Sequence, residues 1–568
     1  MRRVGEARGW YGIFKLAERM ATFSFSTAGE TPEVHRRGRI QERSASGARE
    51  VFGWASSRRL QQQLEQCLHG SRGAAVEEVI RDAQGGFSLC WFDEGAVQLY
   101  RDHAGQQPLY WAYGAVEGQR VVIFGSDFHA ICEHMGDDAV FDHGALLDLL
   151  TYGYISEMQR TGVQGVWRVP PGYTLRVDGE GETLRPYWSF TSRPASADFS
   201  TEVLLEKLRS ALAESVPDDI ECISLSGGLD SSSVAALALE EGLLHADCTA
   251  VTFARGSTDE EFLVAEQTAG LLGLEHQLVE LGSEDVVDVQ RFLQESARAS
   301  AFPVSFGRPH SATVERDASL VLTGFGGDPL QKLNLHHLRE WRSCAGLLAA
   351  GRGYWRYWRD EQRVPPLFLG ERIGRENHHR WQPWQVSFLK QDPPAFSAPD
   401  SSSSASPRAS LFGSPIWTAL LESRHWSVAE GAGCYADPFL DWKLAEYMEA
   451  IPAIPWLVRK KALRTAMRAR LPDAVLSRRK TVHQRARVER TMSDAWKYPA
   501  VYEEIRRLIE EVGDDPYLDL PAVADALDVP NPPRWWSFRL RRIGSYLKWK
   551  RDLMELGVGP CEGRSASL

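Results

Sequence analysis

Residues 222–234, CISLSGGLDSSSV, run an apolar stretch into a two-glycine turn and then into a serine-led helical pattern. A strand that passes through glycines into a helix is a recurrent phosphate cradle. Glycines let backbone N–H groups approach oxyanions, and the helix N-terminus adds its positive dipole. Ser226-Gly227-Gly228-Leu229-Asp230-Ser231-Ser232 has that context. No Gly-Lys-Ser/Thr ending is present, so γ-phosphoryl transfer is not implied. Several hydroxyls and one carboxylate suit a pyrophosphate group with its magnesium ion. The plainer reading is a serine-capped helix after a tight turn.

The flanks extend the pattern. Val203–Leu212 has helical spacing, followed by a strand over Ile220–Leu225, a helix over Ser231–Glu241 and a strand over Cys248–Phe253. A helix over Glu260–Leu272 and a buried strand over Leu320–Thr323 come next. This β-α-β order predicts a parallel sheet with right-handed crossovers. Upstream, Gly86–Phe92, Ala96–Tyr100 and Val121–Phe124 read as strands of a β-rich domain, and Pro170-Pro171-Gly172-Tyr173 as a turn before the alternating Leu175-Arg176-Val177. At 568 residues two or more domains are expected, here 1–195 and 196–568. The Pro/Ser tract 391–410 is too polar to pack and reads as a disordered insertion in the second domain. Lys443–Ala450 and Arg459–Arg470 look helical, which makes the C-terminal part a helical extension.

Charge and composition exclude several classes. A net charge of −11 argues against nucleic acid as a partner. No stretch approaches the roughly 20 apolar residues of a membrane span, so stable membrane insertion is not expected. The eight cysteines are scattered singly, without a CxxC pair, which suggests neither a zinc site nor a disulfide framework. With no apolar signal-peptide region in MRRVGEARGWYGIF, the expected compartment is a reducing cytoplasm. His336-His337 and His378-His379 lack carboxylate company and read as surface residues rather than ligands. The basic, aromatic run Arg534–Arg542 reads as a core-packing helix with snorkelling arginines in preference to a membrane- or partner-docking surface.

Ser226–Ser231 resembles the PP-loop of ATP pyrophosphatases, and the rest of the chain is similar to the asparagine synthetase-like group among them. Pro438-Phe439-Leu440-Asp441 resembles that group's PFLD segment, and Leu471-Pro472 with Leu476-Ser477-Arg478-Arg479-Lys480 its LP…L-x-R-x-K stretch. Thr323-Gly324-Phe325-Gly326-Gly327-Asp328 is similar to its second glycine loop, and Asp259-Glu260 to its DE pair. Gly86-Phe87, Trp91-Phe92-Asp93, Arg101-Asp102, Gly105 and Pro108-Leu109-Tyr110 resemble a class II glutamine amidotransferase domain. Pro170-Pro171-Gly172 and Pro186-Tyr187-Trp188 fit the join between the two. The resemblance implies an α/β protein. An N-terminal β-rich (αββα, Ntn-hydrolase-like) domain would precede a PP-loop parallel-sheet synthetase domain with a helical C-terminal extension.

The departures narrow what the resemblance implies. Glutamine-hydrolysing members use an N-terminal cysteine, whereas Trp10-Tyr11-Gly12-Ile13 puts a tyrosine where the thiol belongs. A phenol with a pKa near 10 is a poor substitute. Ammonia from glutamine is therefore not expected, and the nitrogen must be an amine already on the substrate. Phe325 stands where β-lactam synthetases have a tyrosine, Pro329 replaces an acidic residue, and Cys434 replaces the Glu before PFLD. By elimination the resemblance then favours lasso peptide cyclases, with a precursor peptide as substrate and a leader peptidase as partner. A free-ammonia asparagine synthetase, a β-lactam synthetase-like cyclase and a nucleotide-binding scaffold are the alternatives.

On this reading ATP sits with its adenine against Leu225 and the Val251-Thr252-Phe253 strand end, and its phosphates on Ser226, Gly227, Gly228, Ser231 and Ser232, beside Gly324. Asp230 and Asp328 would hold Mg2+, and Lys480 would neutralise charge on the phosphates. Asp328 as a plain helix cap and Lys480 as part of a solvated basic face are the duller readings. Glu430, Asp437 and His483 are candidates for the base that frees the attacking amine.

Overall fold

Alternating apolar residues in the first third of the chain build two antiparallel sheets. The computed structural model describes residues 10–15, 20–25, 39–44, 49–69, 74–93, 95–191, 199–216, 219–254, 256–280, 320–333, 348, 350–360, 388–390, 407–429, 434–478, 499–529 and 534–560. The strands of the first part are β1 (Trp10–Lys15), β2 (Met20–Phe25), β3 (Arg39–Arg43), β4 (Arg49–Ala55), β5 (Phe87–Asp93) and β6 (Ala96–Arg101). They continue with β7 (Tyr110–Val116), β8 (Gln119–Gly125), β9 (Val166–Arg168), β10 (Tyr173–Asp178) and β11 (Gly181–Pro186). One sheet has the order β2-β1-β8-β7-β9 and the other β11-β10-β6-β5-β4-β3.

Phe14, Phe52, Cys90, Leu99, Val122 and Phe124 belong to one buried cluster fed by both sheets. Leu60, Leu64 and Leu68 of the helix Arg58–His69 pack on Val51, Leu89 and Trp91 of the second sheet. The helices Phe128–Met135 and His143–Tyr152 pack on Ala112, Val121 and Ile123 of the first. Each fully buried side chain of this size contributes about 1.5–3 kcal/mol. The result is the expected αββα sandwich. Its Arg101-Asp102 motif is a turn device: Asp102 Oδ1 accepts from the amides of Ala104, Gly105 and Gln106, and Oδ2 from Gln107.

The second part is an all-parallel sheet in the order β14-β13-β12-β15-β16. Its strands are β12 (Ile220–Ser224), β13 (Leu244–Ala254), β14 (Glu275–Glu280), β15 (Leu320–Leu322) and β16 (Cys434–Ala436). The sequence reading anticipated β12, β13 and β15; β14 is an edge strand with polar alternation, and β16 has three residues. The chain leaves the central β12 toward β13 and later returns on its other side at β15. That reversal of strand order is a topological switch point, where loops after adjacent strands splay to form a crevice.

Two expectations change. The Pro/Ser tract does not extend to 410: Pro407–Gly413 is a helix whose buried Arg408 donates to Leu330 O at 2.7 Å and to Glu449 at 2.8 Å. Residues 391–406 lie outside the described residues. Arg459–Arg470 is not one helix either, because the α-helix covers Lys461–Ala466 and both Arg459 and Lys460 are left-handed, at φ +52° and +58°.

The C-terminal helices return to the first domain. Leu540, Ile543, Tyr546, Leu547 and Trp549 of the helix Arg534–Glu555 share a buried cluster with Phe141, Leu146 and Leu150. The helix that carries the basic, aromatic run thus packs on the core from Leu540 onward, while the side chains of residues 534–539 and 541 lie outside the described residues. Among the described residues no helix is long and apolar enough to cross a membrane.

The two domains also meet beside the PFLD segment. Asp441 caps the helix Trp442–Ala450 by accepting from Leu444 N at 2.8 Å, and its other oxygen takes Gln84 of the first domain at 2.8 Å. Trp442 donates to Ala83 O at 2.7 Å and stacks on His103. Burial pushes the Asp441 carboxyl up to about 6, against the hydrogen bonds from Gln84 and Leu444 N. A raised carboxyl pKa stabilises most below the unfolded value, near 3.9, and that contribution is lost as pH rises through about 6. Asp441→Asn should therefore gain melting temperature relative to the parent between pH 4.5 and pH 7.5. An unchanged difference across that range would contradict the burial effect.

Candidate functional site

Both glycine loops open at the carboxyl ends of neighbouring strands, and their backbones touch. β12 pairs with β15 through Cys222–Val321 and Ile223–Leu322, so the loop after Ser224 and the loop after Leu322 emerge side by side. The first turns through Gly227 at φ +62°, a conformation that favours glycine, and leads into the helix Leu229–Glu240. A Cβ on Gly324 would come within 2.5 Å of Ser231 N, and one on Gly327 within 2.6 Å of Asp230 Cγ. Glycine is thus required where the second loop lies against the N-terminus of that helix.

Inside the first loop, Ser226 N donates to Ser231 Oγ at 3.2 Å and the two hydroxyls are 3.1 Å apart. Ser232 is fully buried and its Oγ has no hydrogen-bond partner among the described residues. Such an orphan costs about 1–3 kcal/mol unless a ligand or a water satisfies it. Arg478 Nη1 donates to Gly227 O at 3.1 Å and sits between Glu260 and Glu261, which open a helix capped by Asp259. The LP…L-x-R-x-K stretch therefore does reach the cradle, through Arg478. Lys480 lies outside the described residues.

The focus of the site is a cation that the sequence reading did not single out. Lys460 Nζ is bonded to Asp230 Oδ2 and lies 2.6 Å from Asp328 Oδ1. Gln331 Nε2 supports Asp230 Oδ1 from 2.9 Å. Two consecutive left-handed residues at Arg459 and Lys460 cost about 1–2 kcal/mol each, a strain that persists where surrounding contacts demand it. Nothing in Val458-Arg459-Lys460-Lys461 signals this; it reads as the start of a basic helix. Asp328, in the first turn of the short helix Gly327–Leu330, thus also carries an ion pair.

The remaining expected residues fall into place unevenly. Leu225 and Thr252 are buried and bound to each other, with Thr252 Oγ1 donating to Leu225 O at 2.5 Å and lying 2.8 Å from His276 Nε2. Burial holds the His276 imidazole below its usual range. Their side chains are therefore committed to the fold, and half-buried Phe253 with the strand-end backbone is what faces outward. Asp437 is corrected as a candidate base: Arg424 grips both its oxygens, from 2.7 Å at the closest, and Thr323 donates to it as well. Glu430, His483 and both histidine pairs lie outside the described residues.

The two aspartates fit a cation shared with phosphate rather than a closed protein cage. Both already converge on one ammonium, Asp328 is half exposed, and one or two carboxylates plus phosphate oxygens is how Mg2+ is usually held. Among the described residues no group of three or more His, Cys, Asp or Glu side chains forms a metal cluster.

In the first domain, Tyr11 lies on β1, half-buried against His134. Burial pushes up the thiols of Cys67, Cys90 and Cys132, and that of Cys248 to about 12. An activated nucleophile needs the opposite shift.

The fold and these two loops define a class: an amidotransferase-type sandwich joined to a PP-loop-type α/β domain. The Asparagine synthase family model matches residues 204–540, more than half of the chain, and the chain belongs to that family. The Glutamine amidotransferase domain model matches residues 66–188. Among curated proteins, Amidase chry2 of Gibberella zeae is 29% identical over 37% of this chain and 33% of its own length. Asparagine synthetase [glutamine-hydrolyzing] 3 of Bacillus subtilis is 28% identical over 28% of this chain and 26% of its own. A putative glutamine-hydrolysing asparagine synthetase of Mycobacterium tuberculosis is 26% identical over 44% and 40%. The chain thus spans well under half the length of these relatives. A solved glutamine phosphoribosylpyrophosphate amidotransferase of B. subtilis, complexed with ADP and GMP, aligns at 12% identity with a TM-score of 0.19, over 57% of this chain and 71% of that one.

The contact between the loops gives a direct test. Gly324→Ala forces a methyl onto backbone and should cost about 1–3 kcal/mol of stability. Gly351→Ala, on a helix with nothing within 4 Å of the new methyl, should be neutral or slightly stabilising. Equal melting temperatures for the two variants would mean that the loops are not in contact.

Proposed function

We propose that this chain is an ATP-dependent, AMP-forming carbon–nitrogen ligase that closes a macrolactam ring in a ribosomally made precursor peptide. The observation that carries the ligase reading is the convergence of Asp230, Asp328 and Lys460 beneath the Ser226–Ser232 cradle. In the first step a peptide Asp or Glu carboxylate oxygen bonds to the α-phosphorus, the bond from that phosphorus to the β-phosphate's bridging oxygen breaks, and pyrophosphate leaves. In the second, the peptide's N-terminal amine bonds to the acyl carbon, AMP leaves, and one proton is lost from nitrogen.

The chain's own groups divide these tasks. Ser226, Gly227, Gly228, Ser231 and Ser232 receive the phosphates, with Ser232 Oγ, which has no partner among the described residues, as one donor. Mg2+, held by Asp230 and Asp328, would screen charge between the phosphates. The Lys460 ammonium would exchange its two aspartates for pyrophosphate oxygens as charge builds there, an electrostatic contribution that usually dominates such transfers. Lys480 is proposed as a second neutralising cation. Holding amine and acyl carbon about 3–3.5 Å apart is worth several kcal/mol of barrier.

The intramolecular amine is favoured by Tyr11 in place of a thiol and by the raised thiols of the first domain. A leader peptidase is the proposed partner, and the cytoplasm the proposed compartment.

With ATP, Mg2+ and a leaderless substrate peptide whose N-terminal amine is free, the chain should release pyrophosphate and yield a peptide lighter by one water. Asp230→Ala should abolish release, and Lys460→Met should lower it by about 100-fold or more. Robust asparagine formation from ATP, aspartate and ammonium would sink the cyclase reading. Unchanged release by Asp230→Ala would sink the metal assignment.

A further inference from the structure

The helix Pro415–Ala429 is gripped at two points by different domains. Glu422 is fully buried, and Arg168 Nε reaches its Oε1 at 2.7 Å while Arg168 Nη2 reaches Oε2 at 3.1 Å. Arg101, also fully buried, adds Nη2 to Oε1 at 2.9 Å. Carbonyls of the first domain fix both guanidinium groups: Val169 and Gly105 hold Arg101, and Met158 and Arg160 hold Arg168, each at 3.0 Å. The two guanidinium groups are therefore oriented by the first domain's own backbone as well as by Glu422. A buried carboxylate shared by two guanidinium groups tolerates little displacement, because moving it strands charge in a dry site.

Two residues further on, the same helix turns its opposite side to the second glycine loop. Arg424 holds Asp437 through Nε at 3.0 Å and Nη2 at 2.7 Å, and reaches Thr323 Oγ1 at 3.3 Å. Its guanidinium lies 4.1 Å from the centre of the Phe325 ring and 4.5 Å from that of Tyr435, and Trp417 packs edge-on to Phe325. Thr323 Oγ1 in turn accepts from Phe325 N at 3.0 Å. From this loop Gly324 presses on Ser231, Gly327 on Asp230, and Asp328 reaches Lys460.

We propose that Glu422 and Arg424 are positioning residues through which the first domain sets the second glycine loop, and with it Asp328, for metal-bound nucleotide. This rests on the reading of Asp230 and Asp328 as the metal-holding pair. It gives the amidotransferase-type domain a role in a chain whose Tyr11 stands where the nucleophile belongs: its Arg101 and Arg168 act on the second glycine loop through Glu422 and Arg424. The face of Phe325 opposite the loop is occupied by Arg424, so the aromatic residue acts here as a platform for that guanidinium.

The test uses the full chain and α,β-methylene-ATP, titrated with and without Mg2+. Wild type should bind more tightly with Mg2+. Glu422→Gln should lose about tenfold in affinity with Mg2+ and change little without it, since the phosphate cradle itself is intact. Glu422→Asp should recover part of the loss. Leu64→Ala, buried against the second sheet far along the chain from this linkage, supplies a control of lowered melting temperature that should retain the Mg2+ effect. If Glu422→Gln does not fold, Arg424→Lys, which keeps the charge but not the paired hydrogen bonds or the flat ring contact, should show the same selective loss. Equal Mg2+-dependent affinity for wild type and the variant that folds would overturn the positioning role. Absence of any Mg2+-dependent binding by wild type would instead overturn the reading of the aspartate pair on which it rests.

Discussion

Two carboxylates and one ammonium hold the site together: Asp230 on the first glycine loop's helix, Asp328 on the second loop, and Lys460 between them. Asp230 and Asp328 approach only because Gly324 and Gly327 let two backbones come closer than any side chain would permit. Lys460 reaches them only from a left-handed backbone that its own sequence does not favour. The arrangement is costly unless something is gained from it. A cationic focus that can pass from protein carboxylates to phosphate oxygens is the gain that fits the chemistry of these groups.

The sequence made the centre legible and left its supports hidden. A strand, a glycine turn and a helix at 220–241 have a local signature, and the structure places them at 220–224 and 229–240. Gly324 and Gly327 were recognisable as a loop through the resemblance, and the structure gives the reason for glycine there in the backbone contact. Lys460 was not, since its role comes from φ angles that its neighbours impose. β16 and the partners Gln331, Arg424 and Glu422 were equally invisible, because β16 is a three-residue segment that carries no period and the side-chain contacts of the others follow no local spacing. Alternation and turn residues made the first domain legible as β-rich, and its αββα arrangement came only through the resemblance; the return of the C-terminal helices onto it was not legible, since an apolar helix face does not say which neighbour it meets.

The domains are joined by more than a linker. Gln84–Asp441 and Trp442–Ala83 close one side beside PFLD, and Arg101, Arg168 and Glu422 close another. One buried cluster continues from between the N-terminal sheets to the parallel sheet. These buried hydrogen bonds, ion pairs and the shared core tie the two parts together around the loops.

The most direct measurement is a crystal structure with α,β-methylene-ATP and Mn2+ in place of Mg2+, with the metal located by anomalous scattering. The account predicts a metal peak between Asp230 and Asp328, phosphates along Ser226–Ser232, and Lys460 Nζ moved from the aspartates onto phosphate oxygens. Lys460 still lodged between the two carboxylates, with metal and nucleotide bound elsewhere, would contradict it.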